Sequence, residues 1–155
     1  MNIVFASDHA GYPLKEELKT HLEAQGYTVI DLGVDTDEVP ADYPDAAGWI
    51  AQAVLDGRAE RGILVCGSGV GASIAANKFP GIYAGVCHDT YSAHQGVEHD
   101  NMNILCVGSR VIGVNVAREL ADAFVTATFS GVARHVRRFG KVQAIEQRYA
   151  PSHES

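Results

Sequence analysis

The sequence predicts an α/β fold, a Rossmann-like three-layer α/β/α sandwich around a five-stranded parallel sheet. Three observations carry this. Five short apolar runs alternate with helical segments, and no linker, repeat or low-complexity stretch interrupts the series. The runs are continuously apolar instead of alternating, as strands covered on both faces are. Strands joined through helices also imply right-handed crossovers and a parallel sheet. At 155 residues the chain fits one domain spanning 1–155, with a basic C-terminal helix at about 134–149.

The elements follow in order. Asn2 to Ala6 reads as a buried strand. Pro13 opens a helix where its missing N–H costs nothing; Leu14, Leu18 and Leu22 give its apolar face, and Gly26 stops it. Tyr27 to Leu32 is the second strand. Ala46, Trp49, Ile50, Ala53 and Val54 then recur at helical spacing, and Asp56-Gly57 ends that helix. Gly62 to Cys66 is the third strand, followed by a glycine loop and a small-residue helix through Ala76. Ile82 to Cys87 is the fourth strand and Thr90 to about Val97 a short helix. Asn103 to Val107 is the fifth strand, and Val114 to about Thr126 another helix. Ligands of such sheets bind beyond the carboxyl ends of the strands. Asp8-His9, Cys66 to Gly71, Cys87-His88 and Ser109-Arg110 each follow a strand, so they are expected on one rim.

Composition narrows the function. Hydrophobic residues are 46% and charged residues 20%, the balance of a globular protein and not of a disordered or coiled-coil chain. No apolar run reaches the roughly 20 residues a membrane helix needs. Ile3 to Ala6 is broken by Ser7, Asp8 and His9, unlike a secretory leader. The three cysteines, Cys66, Cys87 and Cys106, are odd in number, widely spaced and set among apolar residues, as reduced thiols of a cytoplasmic protein are. A net charge of −7 argues against a nucleic-acid surface. The charge is uneven: residues 1–60 hold three basic side chains against twelve acidic ones, whereas Arg134, Arg137, Arg138, Lys141 and Arg148 cluster near the end. A local basic cluster on an acidic chain suits a small anionic ligand.

Cys66-Gly67-Ser68-Gly69-Val70-Gly71 is the most informative local motif. Glycines let backbone approach a ligand, and N–H groups at a helix start favour negative charge. The spacing is not the dinucleotide fingerprint, since Ala72 stands at the third glycine and no acidic residue is placed for a ribose. It is not a P-loop, for no Gly-Lys-Ser/Thr follows. Nor is it a cysteine phosphatase loop, because Ala72 occupies the arginine position, nor a serine elbow, which needs glycine at Cys66. A plain strand-to-helix turn fits the same residues.

Cys66 has two readings. A strand-end cysteine is commonly inert core, the class to which Cys87 and Cys106 are assigned. At a helix start, however, a thiol pKa of about 8.5 can fall by a unit or more, giving a nucleophile or base. The histidines are scattered and no Cys-x-x-Cys or His-Glu-x-x-His spacing occurs, so neither a metal site nor a cofactor is expected. His21 and His153 read as solvated. His9 and His99 are better candidates, each adjoining a carboxylate, Asp8 and Asp100. On the C-terminal helix Arg134, Arg138, Val142, Ile145 and Tyr149 share one stripe, which is expected to face protein and to need an anion such as phosphate.

Ser7-Asp8-His9-Ala10-Gly11, Asp42-Tyr43-Pro44, the glycine loop, Ala75-Ala76-Asn77-Lys78, Gly108-Ser109-Arg110 and Ala144-Ile145-Glu146-Gln147 together resemble the ribose-5-phosphate isomerase B family, in order along residues 2–148. That group also includes galactose-6-phosphate isomerase subunits. The resemblance implies metal-free and nucleotide-free interconversion of aldose and ketose phosphates by homodimers or tetramers. It implies that Cys66 is the base moving a proton between C1 and C2 and that His99 assists ring opening. Asp8, His9 and Tyr43 then line the sugar site, Gly67, Ser68, Gly69, Val70 and Gly71 hold the enediolate, and Arg110, Arg134 and Arg138 bind phosphate. Two positions depart from the family pattern. His99-Asp100-Asn101 stands where asparagine commonly follows the histidine, and ionised Asp100 accepts but cannot donate. Ser68 replaces a common threonine. Ribose 5-phosphate is the expected substrate; a tetrose, allose or galactose phosphate, or a non-catalytic sugar-phosphate-binding partner subunit, are the alternatives. Because His99 precedes the fifth strand, far from Cys66 in one subunit, the two are expected to meet only in a dimer with shared sites.

Overall fold

A computed structural model describes residues 1–151, so His153 lies outside the described residues. The element order is β1 (Asn2–Ser7), α1 (Tyr12–Ala24), β2 (Thr28–Asp31), α2 (Tyr43–Leu55), β3 (Arg61–Cys66), α3 (Val70–Ala76), β4 (Ala84–Val86), α4 (Thr90–Asp100), β5 (Ile104–Gly108), α5 (Val114–Thr126) and α6 (Ala133–Tyr149). The five strands form one parallel sheet in the order β2-β1-β3-β5-β4. The three-layer α/β/α sandwich expected from the sequence is the fold observed.

The pleat divides the core in two. Ile3, Phe5, Ile63, Val65, Leu105 and Val107 face the layer of α1, α4 and α5. Val4, Ala6, Leu64, Cys66, Ile104 and Cys106 face α2 and α3. In-register rows such as Phe5–Ile63–Leu105 fill the first layer without a polar atom, and each such side chain contributes roughly 1.5–3 kcal/mol by leaving water. Cys66 is the last residue of β3, so its side chain stands at the carboxyl rim on the α2–α3 side.

Two boundaries and one helix face differ from the sequence reading. The fourth strand is shorter, Ala84–Val86, because side chains replace its ladder at the entry: Asn103 Oδ1 accepts from the Tyr83 N–H at 2.8 Å, and Asn77 bonds both polar groups of Ala84. Helix α4 runs past Val97 to Asp100, stopped by Asn101 in the left-handed region (φ 54°), so His99 lies within its last turn. The face of α6 is the third correction. Its one buried residue is His135, with Phe139 and Glu146 half-buried. Arg134, Arg138, Val142, Ile145 and Tyr149 are exposed. The stripe expected to face protein is thus rotated away from this chain's own core.

Lys15 is the charged side chain in the deepest position, fully buried on α1. Its ammonium donates to Asp31 Oδ1 and to the Val34 carbonyl, each at 2.6 Å, while Lys19 binds Asp31 Oδ2 at 2.6 Å. The pair clamps the start of the long loop between β2 and α2.

Candidate active site

Strands β1 and β3 are neighbours whose onward connections leave in opposite directions, so a crevice opens between their carboxyl ends. A cleft of about 310 Å³ lies there, lined by Asp8, Tyr43, Cys66, Gly67, Ser68, Gly71 and Arg110, with Val111 at its margin. Asp8 and Tyr43 also border an adjoining hollow that contains His9.

Each wall has a local cause. Asp8 Oδ1 accepts from the Gly11 N–H at 2.9 Å, which closes the turn into α1. His9 does not pair with Asp8; its Nδ1 lies 3.0 Å from the Ala41 nitrogen and 3.2 Å from the Ala41 carbonyl oxygen, which fixes the ring against the loop before α2. The Gly69 N–H donates to Cys66 Sγ at 3.1 Å, in a turn for which Gly69 adopts φ +80°. The Val70 N–H donates to Ser68 Oγ at 3.2 Å. The N–H groups of Gly67, Ser68 and Gly71 have no partner among the described residues. A Cβ on Gly71 would stand 2.7 Å from the Tyr43 ring, so only glycine admits that ring over the loop. The Arg110 guanidinium lies over Gly67, and no carboxylate among the described residues comes within 4.0 Å of it. A free cation, unpartnered amides and a thiol therefore share one small cleft, an arrangement that suits an anionic ligand.

The three cysteines differ in setting. Cys87 is pushed up to about 11 by burial and then by Asp89. Burial, with Cys66 and Cys87 nearby, drives Cys106 well above the ordinary thiol range. Both are inert at neutral pH, whereas Cys66 alone lines the cleft.

His99, Asp100, Arg134 and Arg138 are not in that cleft. Asp100 and Arg138 border a second hollow of about 420 Å³ beside Tyr83 and Phe139. The carboxylate close to His99 is Glu98 at 3.8 Å, not Asp100, and Gln95 Nε2 lies 3.0 Å from its Nδ1. Its ring stacks on His135 with centroids 3.9 Å apart. Desolvation and then His99, Arg134 and Arg138 hold His135 below the usual histidine value. The sequence-derived residues thus fall into two groups: Asp8, His9, Tyr43, Cys66 to Gly71 and Arg110 on one rim, and His99, Asp100, Arg134 and Arg138 near the α4–α6 junction.

Sequence reasoning gave no role to His135 or to Ser109. The Ser109 N–H donates to the Cys66 carbonyl at 2.8 Å and its Oγ to the Ala10 carbonyl at 2.8 Å, tying three rim loops together. Its signals were a place directly after a strand and within the motif Gly108-Ser109-Arg110. His135, next to Arg134 but on the inward face, had none. Among the described residues no cluster of three His, Cys, Asp or Glu side chains could hold a metal, and no helix is long and apolar enough to cross a membrane.

Comparison with known proteins places this geometry. The profile of the ribose/galactose isomerase family matches residues 3–142. The ribose-5-phosphate isomerase B of Escherichia coli is 47% identical over 146 residues, covering 94% of this chain and 97% of that protein. The D-erythrulose-4-phosphate isomerase of Pectobacterium atrosepticum is 42% identical, covering 84% of this chain and 86% of its own. The structure of the Clostridium thermocellum ribose-5-phosphate isomerase B superposes with a TM-score of 0.93 at 46% identity, covering 97% of this chain and 100% of that one. The chain belongs to the ribose/galactose isomerase family and is an aldose–ketose isomerase of sugar phosphates.

Proposed function

We propose that this chain interconverts ribose 5-phosphate and ribulose 5-phosphate through an enediolate, with Cys66 as the base. The observation that carries the reading is the Cys66 thiol at the floor of a cleft walled by unpartnered amides and by Arg110. The thiolate takes the proton from C2 of the open-chain aldose, and the electron pair moves to leave negative charge on O1. Proton exchange between O1 and O2 follows, and the Cys66 thiol returns its proton to C1, giving the ketose. N–H donors of Gly67, Ser68 and Gly71 meet the developing oxyanion, and such a donor contributes about 3–4 kcal/mol in comparable sites. Asp8, His9 and Tyr43 bind sugar hydroxyls, and the orientation comes from the phosphate, held far from the reacting carbons.

His99 assists ring opening, and Arg134 and Arg138 complete the phosphate grip, from a second copy of the chain. Support comes from the two separate clefts and from exposed apolar side chains beside each: Val70, Ile74 and Val111 near Cys66, and Val136, Val142 and Ile145 on α6. The assembly is a homodimer or tetramer.

One second reading has a specific basis. Asp100 accepts but does not donate, and a relative at 42% identity is a D-erythrulose-4-phosphate isomerase, which keeps a tetrose, allose or galactose phosphate open. Turnover measured on ribose 5-phosphate, erythrulose 4-phosphate, allose 6-phosphate and galactose 6-phosphate separates these. Fast conversion of ribose 5-phosphate supports the proposal. Turnover confined to another sugar moves the substrate and keeps the chemistry; turnover of none of the four would contradict the proposal.

A further inference from the structure

We propose that His88 is a positioning residue for the Cys66 loop, its ring nitrogen standing in for a missing rung of the sheet. The inference rests on the reading of Cys66 as the base. Strand β4 bonds to β5 up to the Cys87 N–H, which donates to the Cys106 carbonyl at 3.3 Å. Continuing a parallel ladder would give the Gly108 N–H the Cys87 carbonyl as its acceptor. The chain instead turns away into α4, whose start Asp89 caps by accepting from the Ser92 N–H at 2.7 Å. His88 Nε2 takes up the vacated position and accepts from the Gly108 N–H at 3.0 Å, which assigns the ring proton to Nδ1.

Gly108 is the point on which the loop rests. It is in register with Cys66, and a Cβ there would stand 2.7 Å from the backbone of Ser68. Gly69 is also closely packed, with its Cβ position 3.1 Å from Val107. The next two N–H groups of the same strand end hold the loop from below: Ser109 bonds the Cys66 carbonyl and Arg110 the Gly67 carbonyl at 3.0 Å. Three successive amides of residues 108–110 are therefore fixed, one by His88 and two by the loop itself. A shift of Gly108 passes directly to Ser68 and Gly69, and through the Gly69 N–H to Cys66 Sγ at 3.1 Å. Misplacement of a reacting group by about 1 Å can cost 10²-fold in rate.

The test compares His88→Leu, which removes the acceptor, with His88→Gln, which offers an amide oxygen at similar reach. His88→Leu should lose about tenfold or more in kcat with KM within about threefold, and His88→Gln should recover most of the loss. The rate of Cys66 alkylation by iodoacetamide should change in His88→Leu and return in His88→Gln. This readout needs no substrate and so stands even if the parent turns over none of the sugars tried. Imidazole nitrogen shifts in the parent give a third measure, expected to show His88 protonated at Nδ1 and bare at Nε2, and this needs no variant to fold. Unchanged kcat and alkylation in His88→Leu, equal losses in both variants, or an Nε2–H tautomer would each overturn the proposal.

Discussion

Replacing Lys15 by methionine isolates the clamp that holds the β2–α2 loop. The ammonium is fully buried and bonds Asp31 Oδ1 and the Val34 carbonyl, both at 2.6 Å. Removing one partner of a buried ion pair commonly costs 3–5 kcal/mol. Asp31 is 29% exposed and keeps Lys19 at 2.6 Å, so its charge is not left stranded and most of that figure is not incurred. The Val34 carbonyl does lose its donor, at about 1–3 kcal/mol, while the methionine stem refills the space. The net expectation is about 2 kcal/mol, or a fall of about 4–8 °C in Tm for a chain of this length.

Acid dependence tests the same clamp. Desolvation raises the Asp31 carboxyl, but hydrogen bonds from Lys15 and Lys19 outweigh it and hold it below the usual carboxylate value. A folded pKa below the unfolded one contributes stability that is fully present above about pH 5 and lost as pH falls through the folded value. The gap between parent and Lys15→Met should therefore be widest near neutrality and narrow below about pH 4. Urea unfolding at fixed protein concentration between pH 3.5 and 7 measures this, concentration being held because assembly shifts apparent stability. A loss under about 0.5 kcal/mol, the range of ordinary surface substitutions, would refute the clamp.

Further expectations follow from other contacts. Gly71→Ala places a methyl against the Tyr43 ring; because that ring is 42% exposed and can swing aside, stability should stay within about 1 kcal/mol while kcat/KM falls, which kinetics and melting together resolve. Glu146→Gln weakens the bonds to the Gly81 N–H and the Tyr83 hydroxyl, both 2.9 Å, and should cost about 1–2 kcal/mol, read by urea unfolding. His135, held below the usual histidine value, favours folding while neutral, so that stability should fall as pH drops below about 6.5 and the unfolded chain takes up the proton; a proton NMR titration and unfolding at pH 5.5 and 7.5 check both halves. Mixing Cys66→Ala with His99→Ala, each inactive alone, should restore roughly a quarter of parent activity if each site of a two-fold dimer draws on both copies, and no recovery would contradict the shared site.

Much of the fold was legible because the strands are short continuous apolar runs and the helix ends carry glycine or proline, as at Pro13, Gly26 and Gly57. The rim was legible for the same reason: Cys66 ends a strand, Asp8 and Arg110 follow strands, and parallel order brings strand ends together. What was not legible depends on side-chain geometry. Asn77 and Asn103 replace rungs of β4, a substitution invisible to apolar periodicity. On α6 the stripe reading turned Arg134 and Arg138 toward protein, whereas the face covered by this chain carries His135, Phe139 and Glu146; an apolar stripe on a helix does not say whether its own chain or another covers it. Adjacency misled at both histidines, since His9 pairs with Ala41 and His99 with Gln95 and Glu98.

Deuterium exchange during isomerisation in D₂O, followed by NMR with the parent and Cys66→Ala, tests the role of Cys66 as the base. With Cys66 as the base, ribulose 5-phosphate formed by the parent should carry deuterium at C1 and recovered ribose 5-phosphate should carry it at C2. Cys66→Ala should lose about 10²-fold or more in both exchange and turnover. Exchange within tenfold of the parent in Cys66→Ala would rule out Cys66 as the base, because some other group would then be moving the proton.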